Sequence, residues 1–435
     1  FLNFETRRDA SQINVARTVP SALLRQGVIQ YRNVGGGTSQ IGPAGLRALD
    51  PLGIGVNQAA LTLLQSYPQP NDFAFGDGVN RQGFRFSAPI GSRQNTYISR
   101  WDYTMGPKHT FFFRGTLQND ADSGAPQFPG DPAATINLEN TKGYTIGHTA
   151  ILSPTLVSTF SYGLTRQSFE QAGQANQPYT VFRDITPRFA ITATAGRTIP
   201  VHQIRQDFAW TKGRHDIRIG GVMRWIDNKS FNNTNSFSNA TTNVSWLRGV
   251  GAELRPADIL AADLNPYGTA AVAVLGIVPQ VTTVYNFTLA GQTLPEAAII
   301  RRNFKNEEYE WFIQDTVKLK RNLTLQLGLR HSLIPPPVEA DGIQLSTNKP
   351  LGAWFDQRQG LADRGLSQAA AGPIEYVVAS SPAGRPIYPF HLANFAPRGS
   401  LAWSPDGGGK LGKFLFGGPG KTSIRAGWGL FYDLI

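Results

Sequence analysis

NLTLQLGLRH, residues Asn322–His331, alternates apolar and polar side chains. Leu323, Leu325, Leu327 and Leu329 share one face of an extended chain and Thr324, Gln326, Gly328 and Arg330 the other, because successive side chains of a strand point to opposite sides. The pattern recurs in KTSIRAGWGLFYD (421–433), which sets Ile424, Ala426, Trp428, Leu430 and Tyr432 against Arg425, Gly427 and Gly429, with Phe431 the exception. In HDIRIGGVMRWID (215–227), Ile217, Ile219, Met223 and Trp225 oppose Arg218, Gly220 and Arg224. In HTFFFRGTLQ (109–118), Phe111, Phe113 and Leu117 oppose Arg114, Thr116 and Gln118. The chain therefore reads as all-β and antiparallel.

Short turns join these strands in pairs: MGPKH after NTYISRWDYT, SPT after Leu152, TKGR after QDFAW, and KRN after EEYEWFIQDTVKL. Gly, Pro, Asn and Lys are what such turns use. Long polar stretches separate the pairs, at 119–141, 167–200, 228–236 and 334–392. An up-and-down transmembrane barrel produces this asymmetry, with short periplasmic turns and long extracellular loops. The spacing predicts roughly thirteen strands, at 1–6, 95–105, 109–119, 142–152, 155–168, 201–211, 214–228, 237–249, 279–291, 306–319, 322–333, 393–404 and 421–433. For every strand to reverse direction, the apolar piece Ala270–Ile277 must be a brief helix at the short-turn end. NQAALTLLQSYPQP (57–70) predicts another short helix, begun by Asn57 and stopped by Pro68, in the loop after the first strand.

Composition narrows the class. The 435 residues carry 41 Lys plus Arg against 30 Asp plus Glu, a net charge of 41 − 30 = +11. Only 16% are charged, where a soluble domain carries about 25%, which disfavours helical bundles and coiled coils. Hydrophobic residues at 41%, with 26 Phe, 13 Tyr and 8 Trp, exclude global disorder. With no cysteine, disulfides, thiolate metal sites and cysteine nucleophiles drop out. The longest apolar run, Thr269–Val278, is about half the roughly 20 residues of a membrane-spanning helix. The chain opens at Phe1 without a signal-peptide pattern and is expected to be a piece truncated at both ends.

Alternation alone does not say which face is wet. Trp101 and Tyr103 approach MGPKH, Trp210 approaches TKGR and Trp403 approaches SPDGGG, as in the aromatic girdle of a membrane interface. Arg100, Arg114, Arg205, Arg218, Arg224, Arg330, Arg398 and Arg425 all fall on polar faces, which suits a wide wet lumen. Phe111, Phe113, Leu323, Leu325, Leu327, Leu329, Trp428 and Leu430 are accordingly expected to face lipid.

Catalytic motifs fail on inspection. GGPGKTS (417–423) lacks the first glycine of a phosphate loop, since position 415 is leucine, and a strand pattern follows it instead of a helix. The histidines His109, His148, His202, His215, His331 and His391 show no zinc-helix spacing. Asp120, Asp122 and Ser123, or Asp77 and Asn80, offer calcium-type oxygens without an EF-hand loop. Glu307, Glu308 and Glu310 cluster at one strand start, with Glu308 and Glu310 on one face as lumen or loop charge. No nucleophile elbow is present. The basic residues are spread one per strand, not in the stripe a nucleic-acid partner needs. The expectation is no catalytic residue, metal, cofactor or nucleic acid.

FLNFETRRD with RTVPSALLRQG, ALTLLQSYPQPN, NTYISRWDYTMGPKHTFFFRG, NEEYEWFIQDTVKLKRNLTLQLGLRH, and NFAPRGSLAWSP with GKTSIRAGWGLFYD run in order from residue 1 to 433. As a set they resemble the barrel region of TonB-dependent outer-membrane receptors of the Oar-like branch. The resemblance implies that residues 1–435 are part of one receptor-type barrel domain of 22 strands, the plug, the carboxypeptidase-regulatory-like domain and the TonB-contacting segment lying outside this sequence. It further implies an outer-membrane location, contact with outer-membrane lipid and lipopolysaccharide, and substrate binding at extracellular loops and lumen. Import would be coupled to a TonB-type energy complex through the missing amino-terminal part. Arg100, Asp102, Arg205, Asp207, Glu310, Gln314 and Arg330 are the lumen-facing candidates for ligand contact. Two rivals stand beside this reading: a surface-interaction or adhesion barrel without transport, and a soluble all-β binding protein with a dry apolar interior.

Overall fold

The computed structural model describes residues 1–50, 52–234, 237–245, 247 and 254–432. The alternating segments are strands of one sheet built from fourteen strand segments. Its long members are β1 (Leu2–Pro20), β2 (Arg81–Met105), β3 (His109–Ser123), β4 (Lys142–Ser153), β5 (Leu156–Gly173), β6 (Ala195–Lys212), β7 (His215–Asn232), β8 (Ile300–Lys320), β9 (Leu323–Leu333), β10 (Phe395–Trp403) and β11 (Ile424–Gly429). Each pairs antiparallel with the next. Connections consequently alternate between two ends. Thr135–Glu139 continues the line of β4 between β3 and β5. Among the described residues the order runs from β1 to β11 without those two edges meeting.

Register keeps the two faces distinct across the whole sheet. Phe113, Ile146, Tyr162, Ile204, Met223, Tyr309 and Leu333 stand in one row, and Phe208, Ile219, Ile313 and Leu329 in another. Every residue expected to face lipid is on this apolar face: Phe111 opposite His148, Leu325 opposite Leu401, Leu327 opposite Gly399, Trp428 opposite Gly399, and Leu430 donating its backbone N–H to Pro397. Trp101, Tyr103, Trp210 and Trp403 join it near the short turns, and all four are exposed. The face stays uncovered, with Leu327 at 53% and Trp428 at 65% exposure.

Most of the buried apolar side chains lie at the long-connection end. There α1 (Pro43–Leu49), α2 (Gln58–Gln65) and α3 (Leu264–Leu275) pack with Val19, Leu24, Phe128, Phe182 and Ile185 into one hydrophobic cluster. Asn57 caps α2, its side chain accepting from the Ala60 N–H at 3.0 Å, so the helix begins where the sequence predicts. Polar ties lock the pieces together. Asp263, almost wholly buried, pairs with Arg32 at 2.9 Å, the Tyr67 hydroxyl donates to the Thr186 carbonyl at 2.8 Å, and Arg188 pairs with Asp131 at 3.0 Å. Burial pushes the Tyr67 and Tyr267 phenols well above the ordinary tyrosine value. The long connections thus form a folded cap.

Three expectations need correction. Among the described residues of 237–249, which leave out 246, 248 and 249, only Asn239–Thr241 is strand, and of 279–291 only Gln280–Thr282 is strand. These pieces pair with each other and with Tyr179–Val181 in a separate three-stranded sheet, because β7 and β8 pair directly and leave them no place in the ladder. The helix assigned to the short-turn end is α3, which sits in the cap. Its residues Tyr267–Val274 are buried on all sides, as a helix apolar all round must be, and with the two strands gone the reversal count closes without it. The connection after Trp403 holds a helix, Gly409–Phe416, that leaves Leu411, Phe414 and Leu415 exposed.

Candidate functional site

The polar face of the sheet carries all seven ligand candidates. Register sets Asp102, Phe112, Gly147, Ser161, Arg205, Val222, Glu310 and Ser332 in one row. The row nearer the cap holds Arg100, Arg114, Gln203, Arg224 and Glu308, and the row nearer the short turns Asp207, Gly220, Phe312 and Arg330. Gln314 stands one row further on, beside Gln326, Gly328 and Arg398 around a cavity of about 430 Å³. Strand alternation alone brings these charges to one side.

Their geometry is a chain of guanidinium–carboxylate pairs. Arg100 holds Asp102 with two contacts, at 2.8 and 2.6 Å, and Arg205 holds Asp207 at 2.6 Å. Glu310 bridges two arginines, Arg224 and Arg330, at 3.0 Å each. Arg224 also reaches Glu308 at 2.9 Å and donates to the side-chain amide oxygen Oε1 of Gln203 at 2.9 Å. Gln203, Arg224 and Glu308 complete this network and were not among the candidates. The EEYE cluster opposite a lone mid-strand arginine was the available signal, but only register shows that they meet.

Two phenylalanines break the polarity of the face. Phe112 and Phe312 lie under guanidinium groups, Arg100 at 5.0 Å and Arg330 at 6.0 Å from the ring centroids. Each rests on a glycine. A Cβ on Gly147 would stand 2.0 Å from the Phe112 ring, and one on Gly220 2.6 Å from Phe312 and 2.2 Å from Asp207. Such stacked arginines are held flat, with their donors turned along the wall. Asp207 Oδ1 is buried against Gly220 without a hydrogen-bond partner. At the cap end the loop residue Tyr388 comes close to Glu308, and its phenol is pushed up by burial and then by that charge.

Possible cation sites are differently occupied. Asp77 Oδ1 accepts the N–H groups of Val79, Asn80 and Arg81, so it closes a turn, while Asp120 accepts from the Asn95 N–H and from Gln118 within the sheet. GGPGKTS is followed by β11 and not by a helix, as its strand pattern predicts.

A sheet with one apolar, exposed face and one face of paired charges matches the wall of a membrane barrel. A profile of the outer membrane beta barrel domain matches the chain over residues 1–435. The chain belongs to that family. As an outer membrane beta barrel domain it resides in the outer membrane. No curated protein matches the chain. Among solved structures, the ferric preacinetobactin receptor BauA of Acinetobacter baumannii is 12% identical, with a TM-score of 0.34 over 76% of this chain and 41% of that one. The outer membrane transporter YddB of Escherichia coli is 9% identical, TM-score 0.33, over 75% and 39%. The FpvAI–pyocin S2 complex is 9% identical, TM-score 0.35, over 73% and 36%. The chain spans about two-fifths of the length of the solved proteins it matches.

Proposed function

We propose that residues 1–435 form part of one TonB-dependent receptor barrel, of the Oar-like branch, that binds a solute at its cap and polar wall and imports it by TonB-coupled movement of a plug. The observation that carries this reading is the polar face: guanidinium–carboxylate pairs lie in adjacent rows beneath a folded cap. Charge arranged across a wide wall, with few apolar side chains, suits a lumen that contacts a plug and a passing solute. The family resemblance of the sequence motifs supplies the energy coupling. The apolar face meets lipid and lipopolysaccharide. An adhesion barrel would use the same cap without transport.

The test compares cells expressing the full-length protein with cells lacking it, following depletion of solutes from the medium with and without a protonophore. Import predicts depletion that stops when the proton gradient collapses. Surface binding indifferent to the protonophore would replace transport with adhesion. Once the solute is known, Arg205→Ala, Asp207→Ala and Glu310→Ala should each lower uptake per folded receptor about tenfold, the loss of one charge-assisted hydrogen bond of about 1.5 kcal/mol. Unchanged uptake in all three, with recognition lost when the cap loop 124–134 is shortened, would move the site to the cap. That loop is shorter than the 119–141 read from sequence, because Asn119–Ser123 and Thr135–Glu139 are paired strand.

Orientation has its own measurement. Since the native chain has no cysteine, an impermeant maleimide on whole cells should label a cysteine at Ser367, exposed in the long connection, and leave one at Asn322, in the turn between β8 and β9, unlabelled. Reversed labelling would invert the topology.

A further inference from the structure

Two hollows on the cap join into one groove. The first, of about 190 Å³, lies between Gln127 and Asp131 on one side and residues 174–177 on the other. The second, of about 330 Å³, is floored by Thr180, Ala240 and Val281, which register sets side by side across the three-stranded sheet. Gln177, Tyr179 and Phe189 line both hollows and form the saddle between them. Joined, the hollows reach the size of a small-molecule site, roughly 300–1,000 Å³. The mouth is open, with Asn176, Gln177 and Phe189 all exposed. Its walls are braced: Gln127 Nε2 donates to the Pro187 carbonyl at 2.7 Å, and Arg188 Nε donates to the Ser66 carbonyl at 2.9 Å. The groove is therefore preformed, which spares a ligand the cost of ordering it.

In a chain of net charge +11, this groove is neutral. Among the described residues its only charged lining groups are Asp131 and Arg188, and they pair with each other at 3.0 Å. Asp131 also accepts the Phe128 N–H. The Arg188 guanidinium lies between two rings, 5.3 Å from the Phe128 centroid and 5.1 Å from that of Phe189. Neither ion is left to draw a charged ligand. What the groove does offer is unbonded: the side chains of Gln174, Asn176 and Gln177 and the Tyr179 hydroxyl make no hydrogen bond among the described residues. Each of these groups can both donate and accept. Beside them Phe189, with Arg188 against one face, remains 49% exposed, so its other face is open.

We infer that the groove binds a neutral oligosaccharide, with adjacent sugar rings in the two hollows and Phe189 stacked on one of them. Sugar hydroxyls donate and accept at once, as the free amides and the Tyr179 hydroxyl do. The C–H face of a pyranose carries slightly positive hydrogens, which the negative face of an aromatic ring attracts. An ionised solute fits poorly, because its charge would lose water here without gaining a counter-ion. An uncharged peptide could bond to the amides but brings no regular C–H face to Phe189. The inference names the class of solute for the receptor proposed above and rests on that reading for the cap facing outward.

The experiment titrates the full-length protein in detergent by isothermal calorimetry with cellohexaose, xylohexaose, maltohexaose and mannohexaose, and with hexagalacturonate and capped penta-alanine as the acidic and peptide probes. At least one neutral hexasaccharide should bind more tightly than either of those probes. For that sugar, Phe189→Ala should raise Kd about tenfold through the lost ring contact, and Phe189→Tyr should restore it. N176A/Q177A should raise Kd about tenfold through lost neutral hydrogen bonds. Phe355→Ala, which removes an exposed ring outside the groove, should bind like the native protein. Heat-modifiable gel mobility checks that each variant is folded. Failure of all four neutral hexasaccharides to bind overturns the inference, as does tighter binding of hexagalacturonate or of the peptide. Native affinity in both folded F189A and N176A/Q177A overturns the site. Binding is read without a proton gradient, so the two readings fail separately. A sugar bound through these residues but not depleted by cells keeps this inference and removes import, whereas import of a solute with no hexasaccharide bound does the reverse.

Discussion

Leu327→Arg in β9 should destabilise the reconstituted full-length barrel by about 2–4 kcal/mol, the cost of an arginine on the lipid side near the bilayer midplane. Gln326→Arg, one residue earlier, should cost far less. Leu327 is exposed on the apolar face between Asp315 and Gly399, with no neighbouring anion other than Asp315, which is engaged by His215 at 2.7 Å. Gln326 points the other way, toward Ser400 at 3.3 Å, where a guanidinium joins a face already populated by them. Position along the strand matters as well. β9 starts at Leu323 directly after the turn, so Leu325 sits near the periplasmic interface, where the penalty falls to about 0–1 kcal/mol. Urea titration in phospholipid vesicles, read by tryptophan fluorescence, measures all three. Equal penalties at 326 and 327 would refute the assignment of faces.

The same alternation made most of this fold legible. A strand of period two between a wet and an apolar phase must show its faces in the sequence, and the segments around Leu325, Trp225 and Phe113 do. What escaped was structure governed by tertiary burial. β1 and β2 continue well past the expected 1–6 and 95–105, as far as Pro20 and back to Arg81, where Val19 and Phe84 turn to the buried core of the cap instead of to lipid. The pieces at 239–241 and 280–282 are β-prone without a two-phase environment, so propensity there spoke for strand but not for membership of the wall. α3 shows the reverse. TAAVAVL is apolar on every side, which reads equally as helix or buried strand, and only its neighbours Leu24, Leu64 and Tyr31 decide that it is the centre of a cap. The charge candidates were legible as a face, because parity fixes sides. Their pairing was not, since Glu310 meets Arg330 only through the register of β8 and β9.

Leu64→Ala should open the cap while leaving the wall folded. Leu64 is fully buried on α2 within the cluster that joins α3, Phe128 and Ile185, and truncating a buried leucine costs about 2–5 kcal/mol, the larger values where the cavity cannot collapse. The cap has few ways to absorb this. Tyr67, three residues on, stacks edge-on against Phe128 at 5.8 Å, and Arg188 lies over Phe128 while binding the Ser66 carbonyl, so loss of one packing element loosens connections from four parts of the chain together. The wall is held separately by its backbone ladders and shares little of that cluster. Local opening of this kind is a sub-global unit in its own right. Hydrogen exchange should accelerate across 57–67 and 179–188 with no change in 324–329, and trypsin should cut after Arg188 in the variant but not in the native protein. Solute affinity should fall by the fraction of caps that remain closed, whereas the polar wall keeps its geometry. Exchange that accelerates equally in 324–329 would show that cap and wall unfold as one.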